Sequence, residues 1–473
     1  TAGFFGRLNY NYKEKYLLEV NGRYDGTSRF MKDQRWNFFP SFSLGWNVAR
    51  ENFWKPLESV VNQFKLRGSW GELGNQNTSN LYPFYEILPV KSNSGNWLVN
   101  GGKTNTADIP SLVSTLLTWE RVRSFNVGFD FGAFSNRLTG SFDYFVRKTV
   151  DMVGPAPQLP LVLGIAPAIV NNADMKSYGF EIELSWRDRI GEVDYGVKFN
   201  LADAQQKVVK YPNTTNAFSD WYAGKMSGEI WGYTSLGIAK TDEEMKEHLA
   251  SLPNGGQNQL GNKWGAGDIM YADINGDGKV DGGKGTLADP GDQRIIGNST
   301  PRYNFGLVLD ASYKGFDVSI FFQGVGKRDY APIVGTNGAV FWGAVNNIWQ
   351  SMAMEEHFDY FRPEGHPMGA NLNGYYPRPD FTSNKNHQVQ TRYLQDASYI
   401  RLKNLQIGYT LPKQWINKLH INRCRVYVSG DNLWTGTSLA SMFDPETLAA
   451  GDWGSGKTYP LSKVISFGLN VNF

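Results

Sequence analysis

Apolar and polar residues alternate one by one along much of this chain. At its end, "VISFGLNVNF" (464–473) sets Ile465, Phe467, Leu469, Val471 and Phe473 on one side of an extended segment, and Ser466, Gly468, Asn470 and Asn472 on the other. A period of two predicts a β-strand. The chain opens the same way, with Phe4, Leu8, Tyr10 and Tyr12 against Arg7, Asn9, Asn11 and Lys13. Next, Tyr16, Leu18, Val20 and Tyr24 oppose Glu19, Asn21, Arg23 and Asp25. Further runs include Phe42/Leu44/Trp46, Phe64/Leu66/Trp70, Phe125/Val127/Phe129 and Phe180/Ile182/Leu184/Trp186. The pattern predicts about 13 strands of roughly ten residues each. Helical periodicity is nearly absent; "TDEEMKEHLA" (241–250) predicts one short surface helix opened by a Thr or Asp cap.

Strands this long are nearly twice the usual length in soluble sandwiches. Their polar faces carry full charges, as in Glu181/Glu183/Arg187. A bilayer-spanning barrel supplies both environments, lipid outside and a wet or plugged lumen inside. The links between strands also alternate in length. Those near 13–15, 49–61, 132–137, 187–193, 313–315 and 411–423 are short to moderate. Those near 26–37, 72–122, 150–177, 203–302, 325–398 and 433–462 are mostly long. Outer-membrane barrels have short periplasmic turns and long extracellular loops, so the greasy faces are expected to meet lipid. An antiparallel barrel closes with an even strand number. Thirteen strands therefore mean either one strand unrecognised or, as we expect, a start of the barrel outside this sequence.

Composition adds exclusions. A net charge of +2 gives no nucleic-acid footprint. The lone Cys424 excludes an internal disulfide. No apolar run approaches the roughly 18 residues of a spanning helix. The five His residues (248, 357, 366, 387, 420) show no zinc-enzyme spacing, and no GxSxG or P-loop occurs. We expect no enzyme.

Several stretches carry a family resemblance: "FFGRLNYNYKEKYLLEVNGRYDGTSRF", "RWNFFPSFSLGWNV", "FKLRGSWGELGNQ", "LTWERVRSFNVGFDF", "GFEIELSW", "DINGDGKVD" with "DQRIIGNSTPRYNFGL", "SYIRLKNLQIGYTLP" and "YVSGDNLW". In this order they resemble the SusC/RagA family of TonB-dependent outer-membrane transporters of the Bacteroidetes. The resemblance implies an all-β, transmembrane antiparallel barrel of 22 strands around an N-terminal plug, of which residues 1–473 would be the C-terminal part, with long outer loops 72–122, 203–302 and 325–398. On this reading the plug and first strands are absent from the sequence. It implies active import of a nutrient, an oligosaccharide or else a peptide, across the outer membrane. The implied partners are a SusD-like surface lipoprotein acting as a lid and the TonB–ExbB–ExbD system acting on the plug. A soluble calcium-dependent carbohydrate-binding or hydrolase β-protein is the rival reading, and a passive porin the third.

One motif has its own chemistry. In "DINGDGKVD" (273–281), Asp273, Asn275 and Asp277 stand at alternating positions, with Gly278 at the sharp turn. Oxygen ligands so spaced suit a structural Ca2+. Lys279 would offer its carbonyl and Asp281 a carboxylate or a bridging water. The twelfth position is Lys284 rather than an acid, so Asp292, which precedes "RIIG" as in the family pattern, is the expected closing ligand, and Asp289 the second choice. The bland alternative is a polar turn with no ion.

Aromatics make up 14% of the chain. Trp46, Trp70, Trp186, Tyr10 and Tyr24 are expected in the interface girdle. The loop rings Trp221, Trp231, Trp264, Trp342, Trp349, Tyr375 and Tyr376 are the candidates for stacking on sugar, with packing of the loops as the alternative. Arg67, Arg187 and Arg401 are expected to point into the lumen, toward plug or substrate or into ordinary charge pairs.

Overall fold

The computed structural model describes residues 1–473 except 79–80, 157–161, 163, 166, 333–338, 344–352, 381–384, 417–419 and 449–457. Among the described residues thirteen strands form one antiparallel sheet in chain order. They are β1 (Ala2–Tyr12), β2 (Tyr16–Gly26), β3 (Trp36–Asn47), β4 (Val61–Asn75), β5 (Glu120–Ala133), β6 (Leu138–Val153), β7 (Asn171–Ile190), β8 (Val193–Lys210), β9 (Arg302–Tyr313), β10 (Phe316–Lys327), β11 (Tyr399–Thr410), β12 (Arg423–Thr437) and β13 (Val464–Asn472). The expected strand number and the expected alternation of short and long links are both observed. β7 and β8 run to 20 and 18 residues, well beyond the nine to eleven or so that cross a bilayer.

The short links are tight because their backbone fits hairpin twist. Lys13 and Glu14 both take positive φ (52° and 54°), as do Lys314 and Gly315 (45° and 89°). Two successive left-handed residues match the right-handed twist of the flanking strands. At the same end, Glu51 ties two links together. It accepts from Lys15 Nζ at 2.8 Å, Tyr16 Oη at 2.7 Å and Trp46 Nε1 at 3.2 Å. These donors, Lys15 foremost, hold its pKa at about 2.

The chain packs as two compact units, residues 1–182 with 204–226, and residues 183–203 with 227–473. In the first unit, register lines up the apolar residues of successive strands. Leu8 faces Val20, Val20 faces Phe42, Phe42 faces Trp70, Trp70 faces Phe125, and Phe125 faces Val146. One row lower, Leu18 and Leu44 pair. In the second unit, Tyr195, Ala311, Val318, Ile407, Val428 and Phe467 form an equivalent row. These faces are bare: Leu8 is 62% exposed, Leu44 63% and Phe467 83%. At roughly 25 cal/mol per Å², water would make such a surface prohibitive, and lipid makes it stable. No helix among the described residues is long and apolar enough to cross a membrane.

The buried core lies in the long links instead. In the second unit Ile269, Tyr271, Val280, Phe341, Trp342, Tyr376, Tyr393, Phe443 and Leu448 pack together. They come from three links, 211–301, 328–398 and 438–463. The first unit has a smaller cluster, Phe30, Phe39, Leu117 and Trp119, where Trp119 Nε1 donates to the Arg35 carbonyl at 3.1 Å. The predicted helix forms at Asp242–Ala250, with the Thr241 side chain accepting from Glu244 N.

Candidate functional site

The polar face of the sheet is a wall of satisfied charge. On β4, Arg67 reaches both Asp130 of β5 (2.9 Å) and Asp143 of β6 (2.7 Å). Gly45 and Gly128 flank it in register, leaving room for a branched guanidinium. In the second unit Arg425 of β12 donates to Asp317 of β10 and to Gln406 of β11 (3.0 Å). Arg187 lines an open recess with Asp194, Asp310 and Asp317. Alternation alone put Arg67 and Arg187 on this face, but their partners on other strands required register.

Arg401 behaves differently. It is 4% exposed and pairs in register with Thr435 of β12. Its guanidinium binds Asp444 at 2.8 Å and Glu446 at 2.7 Å, and Lys403 binds Glu446 at 2.7 Å. The link 438–448 therefore folds back onto the polar face. The same segment contributes Leu439, Phe443 and Leu448 to the link core.

A second cluster pins the links 211–301 and 328–398 to each other. Asp268 is fully buried. Its carboxylate accepts from Arg378 (2.8 and 2.6 Å), Lys385 Nζ (2.9 Å), Asn386 Nδ2 (2.9 Å) and Gly265 N (2.9 Å). Lys385 is 1% exposed and sits 5.2 Å from the Trp264 ring centre. Asp203 and Arg302 pair at the foot of the same link. Nothing in the sequence marks these partners, which stand more than a hundred residues apart for Asp268.

The candidate stacking rings divide. Trp342 and Tyr376 are each 1% exposed and pack on one another at 6.1 Å. Tyr375 lies half-buried 5.0 Å from Tyr376, and Trp264 meets Tyr271 edge-on at 6.4 Å. These four belong to the link core, and the faces of Trp342 and Tyr376 are covered by protein. Tyr271, Phe341, Tyr393 and Phe443 join that core without having been singled out in the sequence. Trp221 packs edge-on against Tyr211 in the first unit, and Trp231 sits half-buried on a short strand, Glu229–Gly232. Trp349 lies outside the described residues.

The loop 273–292 closes on itself. Asp273 accepts from Gly276 N (2.6 Å) and Gly278 N (2.8 Å), and Asn275 from Asp277 N (2.9 Å). Asp277 accepts from Lys279 N (3.1 Å). The buried Asp292 clasps both ends, taking Ile274 N (2.8 Å) and Asp281 N (2.8 Å). Burial, with the Asp273 charge, pushes its pKa up, whereas the Lys279 ammonium holds Asp281 down. Asp292 thus joins the two ends of the loop as a hydrogen-bond acceptor. Lys279 turns its ammonium to Asp281 and Asp277. Among the described residues no group of three acidic, His or Cys side chains is arranged to hold a metal ion. In this arrangement Asp273, Asn275, Asp277, Asp281 and Asp292 each accept backbone amides, and the Lys279 ammonium faces the Asp281 carboxylate.

Lipid-facing rows, a charged inner face and links of alternating length define an outer-membrane β-barrel wall. The comparisons agree. Residues 1–433 match the family described as TonB dependent receptor-like, beta-barrel, and the chain belongs to that family. It is 30% identical over 499 residues, 99% of this chain, to TonB-dependent receptor P3 of Formosa agariphila. It is 24% identical over 488 residues, 100% of this chain, to TonB-dependent receptor SusC of Bacteroides thetaiotaomicron. The RagAB peptide transporter structure superposes over 100% of this chain and 47% of that chain, with a TM-score of 0.75 at 23% identity, and so shares the fold. The SusC/RagA resemblance and the outer-membrane location follow. The chain spans about half the length of these relatives, 45% of P3 and 44% of SusC.

Proposed function

We propose that the protein containing this chain imports an oligomeric nutrient, first of all an oligosaccharide, through the barrel, driven by TonB and capped by a SusD-like lipoprotein. The observation that carries the reading is the cap of long links with its own core, fastened to the polar face of the wall through Arg401. A link core of this size tied to the polar face suits a mouth that is gated rather than held open. A gated importer needs one, because energy spent at the other membrane must act on a mouth that otherwise stays shut. The name of the RagAB structure makes peptide the competing cargo.

The test is growth and labelled uptake in cells expressing the full-length protein, with and without TonB, on defined oligosaccharides and on peptides of equal mass. TonB-dependent uptake of a glycan is expected. Uptake of peptide alone would change the substrate class, and TonB-independent uptake would return the protein to the porins.

A further inference from the structure

The link from β3 to β4, residues 48–60, folds back over the outside of the wall. The lipid-facing rows continue toward this end of the strands. Tyr12, Tyr16, Trp46, Leu66 and Phe129 face one another in sequence across β1 to β5. Each stands four residues from a member of the row Leu8, Val20, Phe42, Trp70 and Phe125, with no register shift between the two rows. An even step along a strand keeps the face, and four residues span roughly 13 Å. This second row therefore lies on the lipid side, nearer the short links. Three of its members are stacked aromatics, Tyr12 on Tyr16 at 6.4 Å and Tyr16 on Trp46 at 6.5 Å. Such rings mark a boundary between membrane and water.

The link is fixed to that belt from the lipid side. Its short helix, Asn52–Leu57, sets Phe53 edge-on against Trp46 at 6.3 Å and lays Trp54 flat on Phe64 at 5.2 Å. Phe64 is two residues from Leu66 on β4, so it shares the same face, and it pairs with Phe131. Trp54 Nε1 donates to the Val61 carbonyl at 2.9 Å. Glu51, just ahead of the helix, accepts from Tyr16 Oη and Trp46 Nε1, both in the belt. With Trp54 against the wall, Phe53, Leu57 and Val60 remain 63%, 51% and 47% exposed. Lys55 and Glu58 are exposed beside them.

Placement decides what covers these side chains. Arg67 and its carboxylate partners lie on the opposite face of β4, so a body filling the lumen is on the far side of the sheet. Further strands can join a sheet only at its edges, and β3 and β4 have hydrogen-bonded neighbours on both sides. The apolar surface of the link is instead continuous with the lipid-facing rows. A segment with Phe, Trp and Leu toward lipid and charges beside them seats at the boundary of headgroups and acyl chains. The short links mark the periplasmic end of an outer-membrane barrel.

We propose that residues 48–60 form a membrane foot, with Phe53, Leu57 and Val60 entering the headgroup–acyl boundary of the periplasmic leaflet. Trp54 and Glu51 hold the foot to the wall. It fixes the height of the barrel in the bilayer, whatever the barrel imports.

The test uses the full-length protein in a background otherwise free of cysteine, with Leu57→Cys carrying an environment-sensitive fluorophore. The protein is placed in vesicles of phosphatidylethanolamine and phosphatidylglycerol, and native assembly is checked by heat-modifiable gel mobility. Val60→Cys serves as a second labelling position. Lipid spin-labelled near its headgroup should quench the fluorophore more strongly than lipid labelled near its tail end. Iodide should quench it at least about threefold less than the free dye. Full access to iodide without lipid quenching would place the link in water and overturn the proposal. Protection from both quenchers would mean that protein covers the link, from the same chain or a second copy, and would overturn it equally. Stronger quenching from the tail end would also overturn it, by placing the link in the hydrocarbon interior.

Discussion

Asp268→Asn should open the long links while leaving the membrane wall intact. The substitution keeps the shape of the side chain and removes its charge. Asp268 is fully buried and faces Lys385, 1% exposed, at 2.9 Å and Arg378 at 2.6 Å. Arg378 is 37% exposed and can turn to water. Lys385 cannot, and its next acid, Asp380, stands 3.7 Å away. Removing the nearer partner leaves the buried ammonium to the longer Asp380 pair, and breaking a buried pair costs up to about 3–5 kcal/mol. The lower figure corresponds to roughly 150-fold faster opening. Hydrogen exchange in detergent reads this directly at Ile269 N, which donates to Asn386 Oδ1, and at Tyr271 N, which donates to Gln257 Oε1. Amides of β9–β12 should exchange as before. The double variant D268L/K385M supplies the check, since replacing both charges by apolar groups of similar size is often neutral or stabilising. Wild-type exchange in D268N, or a double variant worse than the single one, would refute the reasoning.

Other expectations follow from the same structure. Leu44→Lys, on the lipid face, should cost about 2–4 kcal/mol in bilayer stability, whereas Ser43→Lys on the opposite face should be near neutral; refolding into liposomes with urea titration compares them. His387 is fully buried against Trp342 at 4.4 Å, and burial lowers its pKa to about 4. Its folded pKa lies below the unfolded value, so its contribution to stability is complete above about pH 6.5 and is lost as pH falls from there through 4. That is about 3 kcal/mol at most, and His387→Gln should flatten the acid limb of protease sensitivity in the links. Asp292→Ala strips buried amides of their acceptor and should loosen residues 273–292 by about 1–3 kcal/mol. Chelator should leave that loop's protease resistance unchanged, and a marked gain of resistance on adding calcium would show that an ion, rather than Asp292 and Lys279, organises it.

The wall of this protein was legible because its physics is local. Leu8, Val20, Phe42 and Trp70 each announce their face by alternation with their own neighbours, and lipid imposes that alternation on every crossing strand. Link lengths were legible for the same reason, and the dipeptides at 13–14 and 314–315 only had to be short. The cap was not legible. Trp342 and Tyr376 read as loop aromatics for stacking on sugar or for packing the loops, and alternation could not choose; they are core, because a core assembled from three links depends on contacts across more than a hundred positions. Asp273, Asn275 and Asp277 have calcium-loop spacing, and spacing cannot say that Lys279 would face Asp281 or that Asp292 would spend its oxygens on amides. Sequence by itself determined which residues meet lipid and which meet water. Only tertiary structure decided which charges find each other, since a carboxylate such as Asp268 is defined by partners that folding brings from elsewhere in the chain.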